Sequence, residues 1–248
     1  MKKIIFIVIT FITFGFIVTT PNADEIIKKS ETRLKGETSY SEVKITTVRP
    51  KYTREMTVKT WTKGTEYSVT LILSPAKDEG TVFLKRKNEI WNYIPSIDRL
   101  VKMPPSMLSQ SWMGTDIKND DLLENSSIVD DYNKKIVATE EIEGYTCYKI
   151  ELTPKENVNS IWGQITMWIS KADYMQMKVK YYDEDKELIN TFYGKSVKLI
   201  GGLKMPTENI IVPANKKRNK TKIVTTKRQI NIEVNDNIFT TQYMKRLN

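Results

Sequence analysis

The stretch 88–113, N-E-I-W-N-Y-I-P-S-I-D-R-L-V-K-M-P-P-S-M-L-S-Q-S-W-M, decides how this chain folds. It opens as a strand, because Ile90, Trp91, Tyr93 and Ile94 are β-branched or aromatic. Pro95 ends that strand, and a second extended piece, Arg99 to Met103, ends at Pro104-Pro105. Proline suits strand ends and first helical turns and resists strand interiors. Ser106 to Met113 then reads as a short helix carrying Met107, Leu108, Trp112 and Met113. An apolar run thus leaves a sheet and becomes a flap rich in methionine and tryptophan. Methionine fits surfaces that repack around varied apolar partners; the competing reading of the flap is ordinary core.

Outward from this stretch, period-2 alternation dominates. Upstream, Asp24 to Lys35 reads as a helix with a narrow apolar side (Ile26, Ile27, Leu34), stopped at Gly36. Ser41 to Arg49 alternates through Val43, Ile45 and Thr47, and Arg54 to Thr62 through Met56 and Val58. Tyr67, Val69, Leu71 and Leu73 share one face of Glu66 to Leu73, and Thr81 to Lys85 follows the Glu79-Gly80 turn. Downstream, Asp116 to Asn125 reads as a second short helical piece, and Asp131 to Thr139 is ambiguous. Strands are expected at Tyr145 to Thr153, Gly163 to Ser170, Met175 to Asp183, Glu187 to Leu199, Leu203 to Pro213 and Thr221 to Asn231, with a hairpin turn at Gly201-Gly202. The last piece, Asp236 to Met244, reads as a turn and tail strand.

No linker or internal repeat divides this series. The expected fold is therefore one mostly β domain, α+β by class, over 24–248. Some ten or eleven antiparallel strands cannot stay flat, because twisted sheets of that size curl. The curled sheet, an unclosed β-barrel, needs its dry face covered. The first helix and the flap, a helical lid, are the apolar candidates.

Composition narrows the chemistry. Residues 1–23 read as a signal peptide: Met1-Lys2-Lys3, an apolar run from Ile4 to Val18, and Ala23 at a cleavage point. No cysteine near it offers a site for acylation, so the mature chain is expected to be exported, soluble and periplasmic. The chain has no histidine, which removes the commonest general base and the usual zinc ligand. Cys147 is the single cysteine, so no internal disulfide forms. Net charge is +9, falling to +7 without Lys2 and Lys3, and the excess is spread widely with no nucleic-acid motif. The pairs Asp120-Asp121, Asp130-Asp131 and Glu140-Glu141 are sequence neighbours and make poor catalytic dyads. Gly114-Thr115-Asp116 with Asn119, Asp120 and Asp121 has oxygens for a cation but not calcium-loop spacing. The expectation is no enzyme, no metal and no cofactor.

Several runs carry a resemblance: T-R-E-M-T-V-K-T-W (53–61), L-S-P-A-K-D-E-G-T-V-F-L-K (73–85), I-W-N-Y-I-P-S-I-D-R (90–99), K-M-P-P-S-M (102–107), S-W-M-G-T-D (111–116), N-D-D-L (119–122) and C-Y-K-I-E-L-T-P-K (147–155). Together they resemble the outer-membrane lipoprotein-sorting proteins of the LolA-like superfamily. The resemblance implies an unclosed antiparallel barrel, a helical lid over an apolar cavity, periplasmic residence and binding of acyl chains. It also implies an inner-membrane envelope transporter as partner, and a lid arginine for which Arg99 and Arg54 are candidates. The functional expectation is a monomeric carrier or chaperone that takes acyl chains of lipoproteins or lipids across the envelope. The alternative is a non-shuttling accessory or sensor protein docked to a transporter or regulator. Each buried methylene contributes about 0.8 kcal/mol, so a long tail demands a long groove. Its expected lining is Trp61, Trp91, Ile94, Met103, Met107, Leu108, Trp112 and Met113.

Overall fold

The computed structural model describes residues 22–119, 121, 130–156, 158, 160, 162–216 and 218–247. The expected signal peptide lies outside the described residues apart from its last two positions, and so does half of the second helical piece expected at 116–125.

Helix α1 (Ala23–Lys35) begins where Asn22 Oδ1 accepts the Asp24 amide at 2.9 Å and Asp24 and Glu25 face the positive helix end. It stops at Gly36, whose φ of 57° carries the chain away. Ile26 and Ile27 are buried on its inner side.

Among the described residues thirteen strands follow in a single antiparallel sheet. The first six are β1 (Thr38–Arg49), β2 (Tyr52–Lys63), β3 (Tyr67–Ser74), β4 (Val82–Arg86), β5 (Glu89–Ile94) and β6 (Arg99–Lys102). The rest are β7 (Tyr132–Ile142), β8 (Tyr145–Pro154), β9 (Gln164–Ser170), β10 (Gln176–Tyr182), β11 (Leu188–Ile200), β12 (Leu203–Pro213) and β13 (Lys220–Ile230). The ambiguous segment at 131–139 is thus a strand, and the count exceeds the ten or eleven expected. The order is β6-β5-β4-β3-β2-β1-β13-β12-β11-β10-β9-β8-β7. The chain meanders outward from β1 to β6 and returns from β7 to β13, which pairs with β1 from Ser39–Ile230 to Val48–Lys220. The two edge strands, β6 and β7, are neighbours in sequence and do not pair. The barrel is therefore unclosed, and the connection 103–131 joins its two free edges.

Register defines two faces. Ile45 stands opposite Met56 and Ile223, Val58 opposite Ile72, and Phe83 opposite Thr70 and Asn92. The same face continues through Ile223–Asn209–Gly194, then Phe192 opposite Val179, Met167 and Ile150. This front face carries two apolar clusters. In one, α1 packs on Ile150, Leu152, Ile165, Met167 and Val179 with Tyr132 and Trp162. In the other, Trp112 of the connection packs on Ile45, Met56, Val58, Ile72 and Phe83. The two expected covers, helix and flap, do lie on one side.

The back face is covered differently. Val69, Leu71, Val82, Leu84 and Tyr93 pack against Ile238, Phe239 and Met244. Those residues belong to a 3₁₀ turn (Asp236–Phe239) and a one-turn helix, α2 (Thr241–Met244). The tail strand expected over 236–244 is corrected: Asn235 Oδ1 accepts the Asn237 amide and Thr240 Oγ1 the Tyr243 amide, so both turns are side-chain capped and no strand forms.

Candidate functional site

The flap is not a helix. Pro105–Met107 forms a 3₁₀ turn, and so does Trp112–Gly114, with φ of 50° at Met113 and 73° at Gly114. The second turn sits at the tip of a small hairpin in which Ser111 pairs with Lys118. The Trp112 amide donates to Ile117 O (2.7 Å), Asn119 N to Gln110 O (2.9 Å), and Asn119 Nδ2 to Met107 O (2.9 Å). The helix expected over Ser106–Met113 fails for local reasons. The segment is eight residues long with three serines, and a helix that short is marginal without strong formers. Left-handed backbone at Met113-Gly114 then turns the chain back.

Two arginines of the β1–β2 hairpin hold this flap. Arg49 Nη2 donates to Gly114 O (2.8 Å), and its Nη1 pairs with Asp116 Oδ2 at 3.0 Å, with side chains only 13% and 8% exposed. Arg54 Nη1 donates to Met113 O (2.8 Å), while its Nη2 pairs with Asp78 at 2.5 Å. From β13, Thr221 Oγ1 donates to Asp116 Oδ2 (2.7 Å) and accepts the Asp116 amide (2.9 Å). Across the front face, Lys118 Nζ sits 4.7 Å from the Trp162 ring centre, and Trp162 lies 4.9 Å from Tyr181. The Tyr181 phenol is held well above its usual range by burial and, secondarily, by the Asp121 charge. The flap tip thus touches both halves of the sheet through polar and cation–π contacts, with Trp112 as its apolar anchor.

The eight expected lining residues fall in three places. Trp112 (3% exposed) and Met113 pack on the front face, Trp112 edge-on to Phe83 at 5.6 Å between ring centres. Met103 and Leu108 pack with Ile90 beside it, Met107 is exposed, and Ile94 is half-buried at the end of β5. Trp61 and Trp91 pack on the back face under the C-terminal turns, so the structure does not bring them to the flap. Trp61 packs tilted against Tyr40, ring centres 5.2 Å apart, and lines a recess of about 300 Å³ with Val234, Asn235, Ile238, Tyr243 and Leu247.

Of the candidate lid arginines, Arg54 reaches the flap, and Arg99 is exposed on β6. Sequence reading missed Arg49 and Thr221, and weighed Asp116 only as an oxygen for a cation rather than as their partner. Arg49 ends a strand before Pro50, and nothing in its neighbourhood signals a partner 67 positions away. Among the described residues no cluster of His, Cys, Asp or Glu is placed to hold a metal ion, and no helix is long and apolar enough to cross a membrane.

Comparison with known proteins bears on this arrangement. A family model described as "Uncharacterized protein" matches residues 64–246. No curated protein matches the chain. A DUF1329 family protein from Desulfovibrio piger superposes with TM-score 0.80 at 21% identity, over 90% of this chain and 97% of its own. A domain from Vibrio parahaemolyticus assigned to outer membrane lipoprotein sorting gives 0.78 at 19% identity, over 90% and 98%. A LolA superfamily protein from Nitrosomonas europaea gives 0.74 at 22% identity, over 90% and 100%. At these identities the likeness is one of fold. The chain belongs to the family of uncharacterised proteins whose model spans 64–246, and its fold is that of the outer-membrane lipoprotein-sorting proteins of the LolA-like superfamily.

Proposed function

We propose that this protein is a periplasmic carrier that shelters acyl chains of lipoproteins or lipids against its front face, beneath the flap, and performs no catalysis. The observation that carries the reading is how the flap is held. An apolar wall of Ile45, Met56, Val58, Ile72 and Phe83 is covered by a short hairpin whose tip is fixed by hydrogen bonds to Arg49, Arg54 and Thr221. A permanent plug buries apolar side chains along its whole length. This cover buries one large side chain, Trp112, with Met113 and Ile117 half-buried beside it, and its tip is otherwise held by a few polar contacts. The exposed Met107 and half-buried Leu108 and Met113 supply adaptable apolar surface at its rim. Handover to an envelope transporter fits the same reading, since a carrier has to release what it shelters.

The test is direct. Protein purified without detergent from the periplasm is extracted with organic solvent and the extract analysed by mass spectrometry, with uptake of a fluorescent sixteen-carbon acyl probe measured in parallel. The expected result is co-purifying acyl lipid and saturable probe uptake. A clean extract together with no probe uptake by the wild-type chain sinks the proposal.

A further inference from the structure

The C-terminal segment reaches the back face between two fastenings. Thr38 Oγ1 donates to Ile232 O at 2.6 Å, and Lys63 Nζ holds the two carboxylate oxygens of Asp236 at 2.7 and 2.6 Å. Thr38 and Lys63 are themselves partners across β1 and β2. The three residues between the fastenings, Glu233, Val234 and Asn235, line the recess of about 300 Å³ together with Trp61 of β2 and with Ile238, Tyr243 and Leu247. Its walls are held in place from outside. Tyr40 packs against Trp61, ring centres 5.2 Å apart, and its phenol donates to Glu42 Oε1 at 2.5 Å. Asn235 Oδ1 accepts the Asn237 amide, which caps the turn carrying Ile238, and Thr240 Oγ1 accepts the Tyr243 amide. A ligand entering here meets a site that is already formed, so little ordering cost is charged against its binding.

We propose that this recess binds a small alkylated ammonium group, of which the trimethylammonium of choline is the model. The lining has three parts, and that group answers each. Trp61 and Tyr243, both half-buried, supply aromatic rings, which attract a cation. Val234, Ile238 and Leu247 supply aliphatic surface for the methyl groups. Glu233 supplies the counter-charge: among the described residues it is the single charged member of the lining, and no lysine or arginine pairs with it. The neighbouring charges are accounted for. Asp236 is neutralised by Lys63 and Lys245 by Asp98 at 2.7 Å, while Arg246 is exposed and is not part of the lining. Other ligand classes fit worse. An anion is repelled by Glu233, and a bare ammonium is strongly hydrated and loses water to aliphatic walls that return nothing. A neutral apolar molecule fills the space but leaves the carboxylate without a counter-charge. The site lies on the face opposite the flap and does not depend on the carrier reading.

The experiment is an NMR titration of the full mature chain with choline, with dimethylbutanol, its neutral carbon isostere, and with phosphocholine. Choline is expected to move the Trp61 indole N–H and the Val234 and Asn235 amide resonances along a saturable curve. Dimethylbutanol, which has the same shape and no charge, is expected to bind about tenfold more weakly. Glu233→Gln keeps the size of an exposed side chain and removes its charge, and is expected to weaken choline by about tenfold. Uptake of an acyl probe on the opposite face is expected to be the same in that variant as in the wild-type chain. Phosphocholine binding as well as choline assigns the ammonium to a lipid headgroup, and weaker binding assigns it to a free small molecule; both uphold the cation site. No saturable shift up to about 100 mM choline, equal affinity for choline and dimethylbutanol, or choline affinity indifferent to Glu233→Gln overturns the proposal and leaves the carrier reading standing.

Discussion

Replacing Arg49 by methionine should loosen the flap without loosening the sheet. The substitution keeps an apolar stem of similar length and removes the guanidinium that holds Gly114 O at 2.8 Å and Asp116 Oδ2 at 3.0 Å. Asp116, 8% exposed, is then left with Thr221 as its remaining side-chain partner. Removing one member of a buried pair costs about 3–5 kcal/mol, because the survivor is an uncompensated charge. Arg49 retains some solvent contact, so the lower end, about 3 kcal/mol, applies. At 1.4 kcal/mol per tenfold that is roughly a hundredfold increase in flap opening. The assay is native-state amide hydrogen exchange, which resolves local from global opening. The Trp112, Thr115 and Asn119 amides, bonded to Ile117, Trp112 and Gln110 carbonyls, should exchange about a hundredfold faster. Amides in the β8–β9 ladder, such as the Ile150–Met167 pair, should be unaffected. Adding Asp116→Leu should recover much of the loss, since an apolar replacement for a whole buried pair is often near neutral. Unchanged flap exchange, or an equal rise in flap and sheet, would refute the argument that the arginine holds a separately opening element.

Two further outcomes follow from the geometry. Gly201 and Gly202 form the β11–β12 turn at φ of 57° and 78°; a Cβ at 201 would lie 2.0 Å from Arg228 O, whereas at 202 it meets open space. Gly202→Ala should therefore cost only the left-handed strain of about 1 kcal/mol, and Gly201→Ala clearly more, measured by urea denaturation. Burial pushes the Cys147 thiol from 9.0 up to about 11. The folded chain then holds a proton that the unfolded chain has lost, so stability should be level below pH 9 and fall as pH rises from about 9 towards 11, by a slope of one proton at most. A Cys147→Ala variant should lack that loss, and an identical pH profile for the two would refute the assignment.

Much of the sheet was legible in the sequence because its signal is local. Tyr67, Val69, Leu71 and Leu73 alternate, and all four join one cluster on the back face. Gly201-Gly202 marks a turn whatever surrounds it. The segment 131–139 was ambiguous, and the structure shows why: it becomes an edge strand whose exposure alternates regularly, but Lys134 and Glu140 stand on its less exposed side and Val137 on its exposed side, so residue type does not follow the alternation. Trp61 and Trp91 illustrate the limit of composition. Trp91 leads into the apolar flap and Trp61 ends one of the runs that carry the resemblance, yet strand parity sends both to the opposite face, under Ile238, Phe239 and Met244. Parity can be counted only after register is known, because one bulge or a one-residue slip exchanges the faces.

The amino-acid order alone determined a mostly antiparallel β chain, a leading helix stopped at Gly36, strand ends at Pro95 and Pro104, and a likeness to lipoprotein-sorting proteins. The first three rest on spacing and on backbone restrictions that each residue carries with it, and the likeness rests on the quoted runs of residues themselves. Tertiary structure alone decided that β1 pairs with β13, that β6 and β7 are left as free edges, and that the connection between them folds as a hairpin clamped by Arg49 and Arg54. Those features depend on groups far apart in sequence meeting across the curled sheet. Arg49 and Asp116 find each other only when thirteen strands have already set the distance between them.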